Sequence, residues 1–276
     1  MKPILLRLVI AILIILGFGA LSFFSPPSGI PILNYHQIND VDENMLTVST
    51  TEFEMQLAWL EGNGYQTITV SELLDYLEGK GSLPDRPVLI TFDDGYIDNY
   101  QCAFPILKKH NMKACIFLIS EYVSLYPNYL TWEQLTEMQV SGIEFGSHTV
   151  DHNVLTELSL NSVNHELADS KSMLEKRLGR RVDVLAYPCG FTNEYIKSRV
   201  KASDYRAAFT VNLGNVHPGD DLYALNRVPI FGALPHTMFR FEARMRCPRL
   251  AAWLENLQKD LIRSGHTGLA ELLPSL

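Results

Sequence analysis

The sequence predicts an α/β fold, a closed barrel of parallel strands, and three observations carry that prediction. Short apolar runs alternate with helix-period segments, and strands separated by crossover helices run parallel. Eight such runs can be counted in the 276 residues, which suits a closed barrel better than an open sheet. The polar residues of chemical interest stand at the C-terminal ends of these runs. In a β/α barrel those ends share one face, where active sites are built.

The elements follow in order. Pro31 to His36 is a short apolar run ending in Tyr35-His36. Thr51-Glu52-Phe53-Glu54 reads as a capping box, and Phe53, Leu57 and Leu60 then mark one helical face. Gln66 to Val70 is a second strand, and Ser71 to Glu78 a helix closed by Gly79 and Gly81. Pro87 to Phe92 is the central strand, short, β-branched and bounded by Pro87 and Gly95. A helix from about Asn99 to Lys109 leads to a strand, Lys113 to Ile119. A second capping box, Thr131-Trp132-Glu133-Gln134, opens a helix that Gly142 ends. Ile143 to Ser147 is a strand, Ser162 to Leu178 a long amphipathic helix, and Val182 to Tyr187 a strand. Asn193 to Ala202 is helical, and Arg206 to Val211 and Leu225 to Ile230 are the last strands. Beyond Ala233 a basic tail with Arg240, Arg244, Arg246 and Arg249 precedes a helix at Leu250 to Leu261.

Hydrophobic residues make up 47% and charged residues 20%, as in a folded globular body. The net charge of -8 argues against a nucleic-acid partner, which wants a basic face. The N-terminus differs from the rest. Leu8 to Phe24 holds 17 residues without a charge, after Lys2 and Arg7. That length reads as a transmembrane anchor with the body outside the cytoplasm. A cleaved signal peptide, with a site at Ala20-Leu21-Ser22, is the competing reading and secretes the same body. The expected organisation is therefore an anchor or signal segment at 1–25, a linker at 26–30, a barrel at 31–232 and a helical tail at 233–276. Cys102, Cys115, Cys189 and Cys247 form no C-x-x-C pair, so a cysteine metal site is not expected. Disulfides and buried free thiols both remain open for them.

The chemistry centres on Asp93-Asp94-Gly95, at the end of the central strand. Adjacent side chains on a strand point to opposite faces. The two carboxylates therefore take different jobs unless the backbone turns there, and Gly95 permits such a turn. One can bind a metal while its neighbour handles a proton. His148 and His152, spaced i, i+4, share a face if they lie on a helical turn. Two imidazoles, a carboxylate and an open position make the donor set of catalytic zinc. Asp94 is the natural third ligand.

Thr91-Phe92-Asp93-Asp94-Gly95 and Ser147-His148-Thr149-Val150-Asp151-His152 resemble the first two motifs of the polysaccharide deacetylases, carbohydrate esterase family 4. Leu185-Ala186-Tyr187-Pro188-Cys189-Gly190 resembles the third. The resemblance spans roughly Pro31 to Ile230. It implies a distorted (β/α) barrel of seven to eight parallel strands and metal-dependent removal of acetyl groups from N-acetylated glycans. It makes Asp93 the general base and Asp94, His148 and His152 the metal ligands. Zinc is the expected metal, with cobalt or nickel also compatible. Tyr187, Pro188, Cys189 and Tyr96 are the expected substrate contacts, with Cys189 also offering its backbone N–H to an oxyanion. Tyr122, Tyr126, Tyr129 and Trp132 are further aromatics for sugar stacking.

Two departures from the family pattern stand out. Ala186 occupies the place of an arginine that orients the base in many members, and Arg227 is offered as its substitute. The general acid is usually a late histidine, but His217, His236 and His266 end no apolar strand. His36 ends the first strand instead, as in the permuted branch that includes poly-N-acetylglucosamine deacetylases. As the acid it should reach the leaving amine from the side opposite Asp93. Other readings are an O-acetyl esterase on an acetylated polysaccharide and a non-catalytic glycan-binding protein of the same fold.

Overall fold

The computed structural model describes Gly17 and residues 28–232, 237–270 and 272–273. The expected anchor, apart from Gly17, and part of the linker lie outside the described residues. No helix among the described residues is long and apolar enough to cross a membrane. The chain divides into two compact units. One spans Ile30–Thr237, and the other combines the flanks up to Gly29 and from Met238.

In the larger unit the strands are β1 Ile32–Tyr35, β2 Gln37–Ile38, β3 Thr47–Val48, β4 Gln66–Thr67, β5 Pro87–Phe92, β6 Cys115–Leu118, β7 Glu144–Ser147, β8 Val184–Ala186, β9 Ala207–Leu213 and β10 Leu225–Pro229. Strands β5 to β10 follow one another in sequence order, all parallel, and β1 closes the ring between β10 and β5. The barrel has seven strands, not the eight counted from the sequence. The surplus run is β4, which pairs outside the ring. Strand β5 divides its edge: Pro87 and Val88 pair with β4, whereas Leu89 to Phe92 pair with β1. A two-residue strand cannot take a place in a ring whose edge is already occupied. β2 and β3 form a separate two-stranded sheet.

The lumen is filled by alternate residues of the ring. Ile32, Leu89, Phe117, Val184, Phe209 and Leu225 belong to one buried cluster. Side chains on a strand repeat every second residue per face, so Asn34, Thr91, Asp93 and Arg227 continue the same inward column. The lumen thus passes from apolar at its base to polar at its C-terminal mouth. The opposite faces pack under helices. Tyr35 and Phe92 stack at 5.5 Å, and Phe53 of helix Thr50–Gly62 meets Tyr35 edge-on at 5.2 Å. Each such buried ring contributes roughly 1.5–3 kcal/mol. Ser49 caps that helix by accepting from the Glu52 amide, two residues before the expected box at Thr51. The second box is present as read, with Thr131 and Gln134 capping reciprocally.

The predicted long helix is interrupted. Leu160–Asn164 and Ser170–Leu178 are α-helical, and the wide π turn His165–Asp169 joins them. At the C-terminal end, helices Thr237–Arg246, Pro248–Arg263 and Thr267–Ala270 follow one another along the chain, and Phe241, Met245, Ala251 and Leu254 are buried. All four cysteines are free thiols.

Candidate active site

Strand β5 delivers Asp93 and Asp94 to the barrel mouth, and both are buried. The turn anticipated at Gly95 begins one residue earlier: Asp94 has φ 73° and Gly95 φ 78°. A left-handed aspartate costs of order 1–3 kcal/mol and persists only where its surroundings impose it. Here the turn separates the two carboxylates.

Asp93 faces Arg227 of β10. The guanidinium donates to Oδ1 and Oδ2, each at 2.7 Å. Arg227 also donates to the Thr210 carbonyl at 2.8 Å and to Thr91 Oγ1 at 3.3 Å, and it is fully buried. Ala186 leaves the third motif without an arginine, and Arg227 stands against Asp93 from the other end of the chain. Burial pushes the Asp93 carboxyl up, but Arg227, then His148 and His36, overcome this and hold it far below the usual carboxylate range.

Asp94, His148 and His152 form the second cluster. Their ligating atoms all lie within 4.8 Å of one another. Asp94 Oδ1 is 3.4 Å from His148 Nε2 and 3.6 Å from His152 Nε2. His148 Nδ1 is 2.8 Å from the Ala186 carbonyl. The carbonyl only accepts, so Nδ1 carries the proton and the Nε2 lone pair faces Asp94. That second contact is how metal-binding imidazoles are oriented. Burial disfavours the His148 imidazolium, yet Asp94 and Asp93 raise it overall. Burial and then His148 lower His152.

The two histidines do not share a helical turn, as the spacing had suggested. They stand on an irregular loop in which Thr149 has φ 69° and His152 φ 67°. The His152 amide donates to Thr149 Oγ1 at 3.1 Å, folding the loop back on itself. The rings meet edge-on at 4.7 Å because of this reversal, not because of helical periodicity.

His36 follows β1 directly. Its Nε2 lies 4.0 Å from Asp93 Oδ2, and its side chain is 17% exposed. Burial lowers its basicity, against the pull of Asp93 and Asp94. Nδ1 finds no partner among the described residues, while the His36 carbonyl accepts from Asn99 Nδ2 at 2.8 Å. His36 and Asp93 therefore stand side by side, not across a gap as expected from the sequence.

The rim is mixed. Tyr96 and Tyr129 stack at 5.1 Å, and Tyr122 and Tyr126 extend the ring cluster. Burial, then the nearby Asp94 carboxylate, pushes the Tyr96 phenol up. Trp132 stands apart with the Arg177 guanidinium over its ring at 5.4 Å. Two expected substrate contacts lie below the surface. Tyr187 is fully buried and donates to the Tyr223 carbonyl at 2.9 Å, and Pro188 is also buried. Both directly follow β8 and are buried at its C-terminal end. Cys189 alone of this motif reaches the rim, exposed and with φ 57°.

Sequence reasoning missed the residues that hold the histidine loop. Glu166 and Ser170 bond its backbone from the helical segment beyond it. No sequence signal marks them, since a glutamate and a serine on an amphipathic helix look like solvent-facing residues.

A polysaccharide deacetylase family model matches residues 80–208. YxkH of Bacillus subtilis, named as a polysaccharide deacetylase, is 38% identical over 213 residues, covering 77% of this chain and 75% of its own. A poly-beta-1,6-N-acetyl-D-glucosamine N-deacetylase of Staphylococcus epidermidis is 30% identical over 223 residues, covering 71% of this chain and 77% of its own. The solved structure of the deacetylase PplD of Streptococcus pyogenes, in complex with acetate, aligns with a TM-score of 0.72 at 31% identity and covers 78% of this chain and 98% of that one. With the barrel, the carboxylate pair and the histidine loop in hand, these likenesses make the chain a member of the polysaccharide deacetylase family, a hydrolase that removes acetyl groups from polysaccharide.

Proposed function

We propose that the protein is a metal-dependent N-deacetylase of an N-acetylglucosamine polymer at the cell surface. The observation that carries this reading is an arginine-held carboxylate, Asp93, beside an Asp94–His148–His152 donor set at one barrel mouth. The donor set fits a divalent metal: two imidazoles, one with its tautomer already set by the Ala186 carbonyl, and one carboxylate. Zinc suits it best, with cobalt and nickel compatible. When bound, the metal would polarise the acetyl carbonyl and make water acidic enough to attack it.

The chain's own residues do the rest. Asp93, ionised and held by Arg227, accepts a proton as water adds to the carbonyl carbon. The Cys189 N–H offers a hydrogen bond to the developing oxyanion. The C–N bond then breaks, acetate leaves, and the amine needs one proton. His36 supplies it. Its lowered basicity keeps it neutral before reaction, so the proton it delivers is the one Asp93 has just taken, passed once Oδ2 and Nε2, 4.0 Å apart here, tighten to hydrogen-bond distance in the reacting complex. The arrangement suits an amide, whose leaving group must be protonated.

The relative in Staphylococcus epidermidis supports a β-1,6-linked N-acetylglucosamine polymer as substrate. The apolar run Leu8 to Phe24 supports a body held outside the cytoplasm, where such polymers lie. The test is release of free amine from N-acetylglucosamine oligomers, peptidoglycan and acetylated xylan, with and without chelator. Amine release from the oligomers that chelator abolishes and zinc or cobalt restores is the expected result. Acetate released from the xylan alone would replace this reading with an O-acetyl esterase.

A further inference from the structure

All four amides from Thr149 to His152 have a partner, and two of the loop's partners belong to one helical segment. The Thr149 amide donates to Ser147 Oγ at 3.2 Å, and its carbonyl accepts from Ser120 N–H and Ser170 Oγ, each at 3.0 Å. The Val150 and Asp151 amides both donate to Glu166 Oε2, at 2.8 and 3.3 Å. The Val150 carbonyl accepts from the Glu121 amide at 3.0 Å. Glu166 lies on the π turn and is 2% exposed, an unusual depth for a carboxylate that forms no salt bridge among the described residues. Such wide turns recur at functional sites.

We propose that Glu166 is a positioning residue for the metal centre: by holding the Val150 and Asp151 amides it sets where His152 sits, and so sets the affinity of the site for a divalent cation. The inference rests on the metal-binding reading of Asp94, His148 and His152. Two of the five residues from His148 to His152 are left-handed without being glycine, Thr149 and His152. A loop of this kind relaxes unless its surroundings hold it. His148 follows β7 directly and is held by the Ala186 carbonyl as well. His152 is the more exposed ligand, and within the loop its amide is tied only to Thr149. It is therefore the ligand that Glu166 controls. Burial and then a hydrogen bond with Asp151 raise the Glu166 carboxyl. A glutamine can copy that arrangement, its oxygen accepting from the two amides and its NH₂ donating to Asp151.

The experiment measures zinc and cobalt affinity of the full chain by competition with a chelating dye, alongside Tm. Glu166→Ala leaves two buried amides without an acceptor, and we expect affinity to fall ~10–100-fold, the usual loss for a group that orients a ligand. Glu166→Gln should stay within about threefold of wild type, which is below the range such losses reach. Leu174→Ala, in the same helical segment and equally buried, should lower Tm and leave affinity unchanged. If Glu166→Ala does not fold, Glu166→Asp asks the same question with the carboxyl withdrawn from the loop, and it should also weaken binding. Wild-type affinity in a folded Glu166→Ala or Glu166→Asp overturns the inference, as does an equal loss in Leu174→Ala. A wild-type protein that takes up neither metal overturns the metal reading itself, and this inference with it.

Discussion

Arg227 grips Asp93 through both carboxylate oxygens, although 134 residues separate them in the chain. The pair joins the central strand to the last one. It also fixes the orientation and the charge state of the carboxylate proposed as base.

Replacing Arg227 by lysine keeps a cation but loses the two-pronged contact. Misplacing the base by about 1 Å costs ~10²-fold, and a fall in kcat of that order is expected. The pH profile adds a sign. Burial raises the Asp93 carboxyl and Arg227 is the largest influence holding it down. Weakening the pair therefore moves the acid limb of kcat/KM to higher pH, and an unmoved limb would count against Asp93 as base. The same pair governs acid stability. A carboxyl depressed on folding contributes stability above its unfolded value, about 3.9, and loses it as pH falls through the folded value. Arg227→Lys should therefore lose less stability than wild type between neutral pH and the acid range, as followed by Tm.

Asp93→Asn keeps the shape and removes the proposed base. Metal content should match wild type while amine release falls close to background. Asp94→Asn should do the opposite and lose metal first. If metal analysis shows the reverse pattern, the two carboxylates have been assigned the wrong way round.

One divalent metal per chain is expected by elemental analysis of the purified protein. His148→Ala removes a proposed ligand outright, so its affinity loss should exceed the ~10–100-fold that loss of an outer partner causes. Full metal retention in that variant would sink the ligand set.

His36→Ala should lower kcat on N-acetylglucosamine oligomers by ~10²–10⁴-fold, the usual share of a general acid–base. Metal and Tm should be retained. On an activated ester, whose leaving group needs no proton, the loss should be much smaller. A near wild-type kcat on the oligomers would defeat the assignment and send the search to His217.

Gly190 follows Cys189 with φ 74°, and a Cβ there would meet the Val211 amide nitrogen at 2.8 Å. Gly190→Ala should cost ~1–3 kcal/mol in denaturant unfolding. It should also lower kcat more than it raises KM, because the displaced neighbour is the Cys189 amide proposed for the oxyanion.

Much of this protein was legible before its structure. Alternating apolar runs and capping residues are local signals, so the parallel barrel and the second capping box could be read directly. The carboxylate pair and the two histidines could be named because each motif is a few residues long and ends a strand. Other features depended on the tertiary structure. The sequence counted eight strands, and closure left seven, because the pairing of β1 with β5 is a long-range event that a two-residue run such as β4 cannot compete with. The i, i+4 spacing picked out two histidines that do come together, but for a helical reason that does not apply; two left-handed residues bring them together, and nothing in Thr149 or His152 announces that conformation. Tyr187 read as an exposed residue of the third motif, and its ring is buried. Arg227 was one candidate charge until the ring placed it on Asp93. Glu166 carried no signal at all. Local sequence sets propensity and the chemistry available, but which distant groups share a dry pocket depends on ring closure, and burial is what turns an ordinary arginine or glutamate into part of a site.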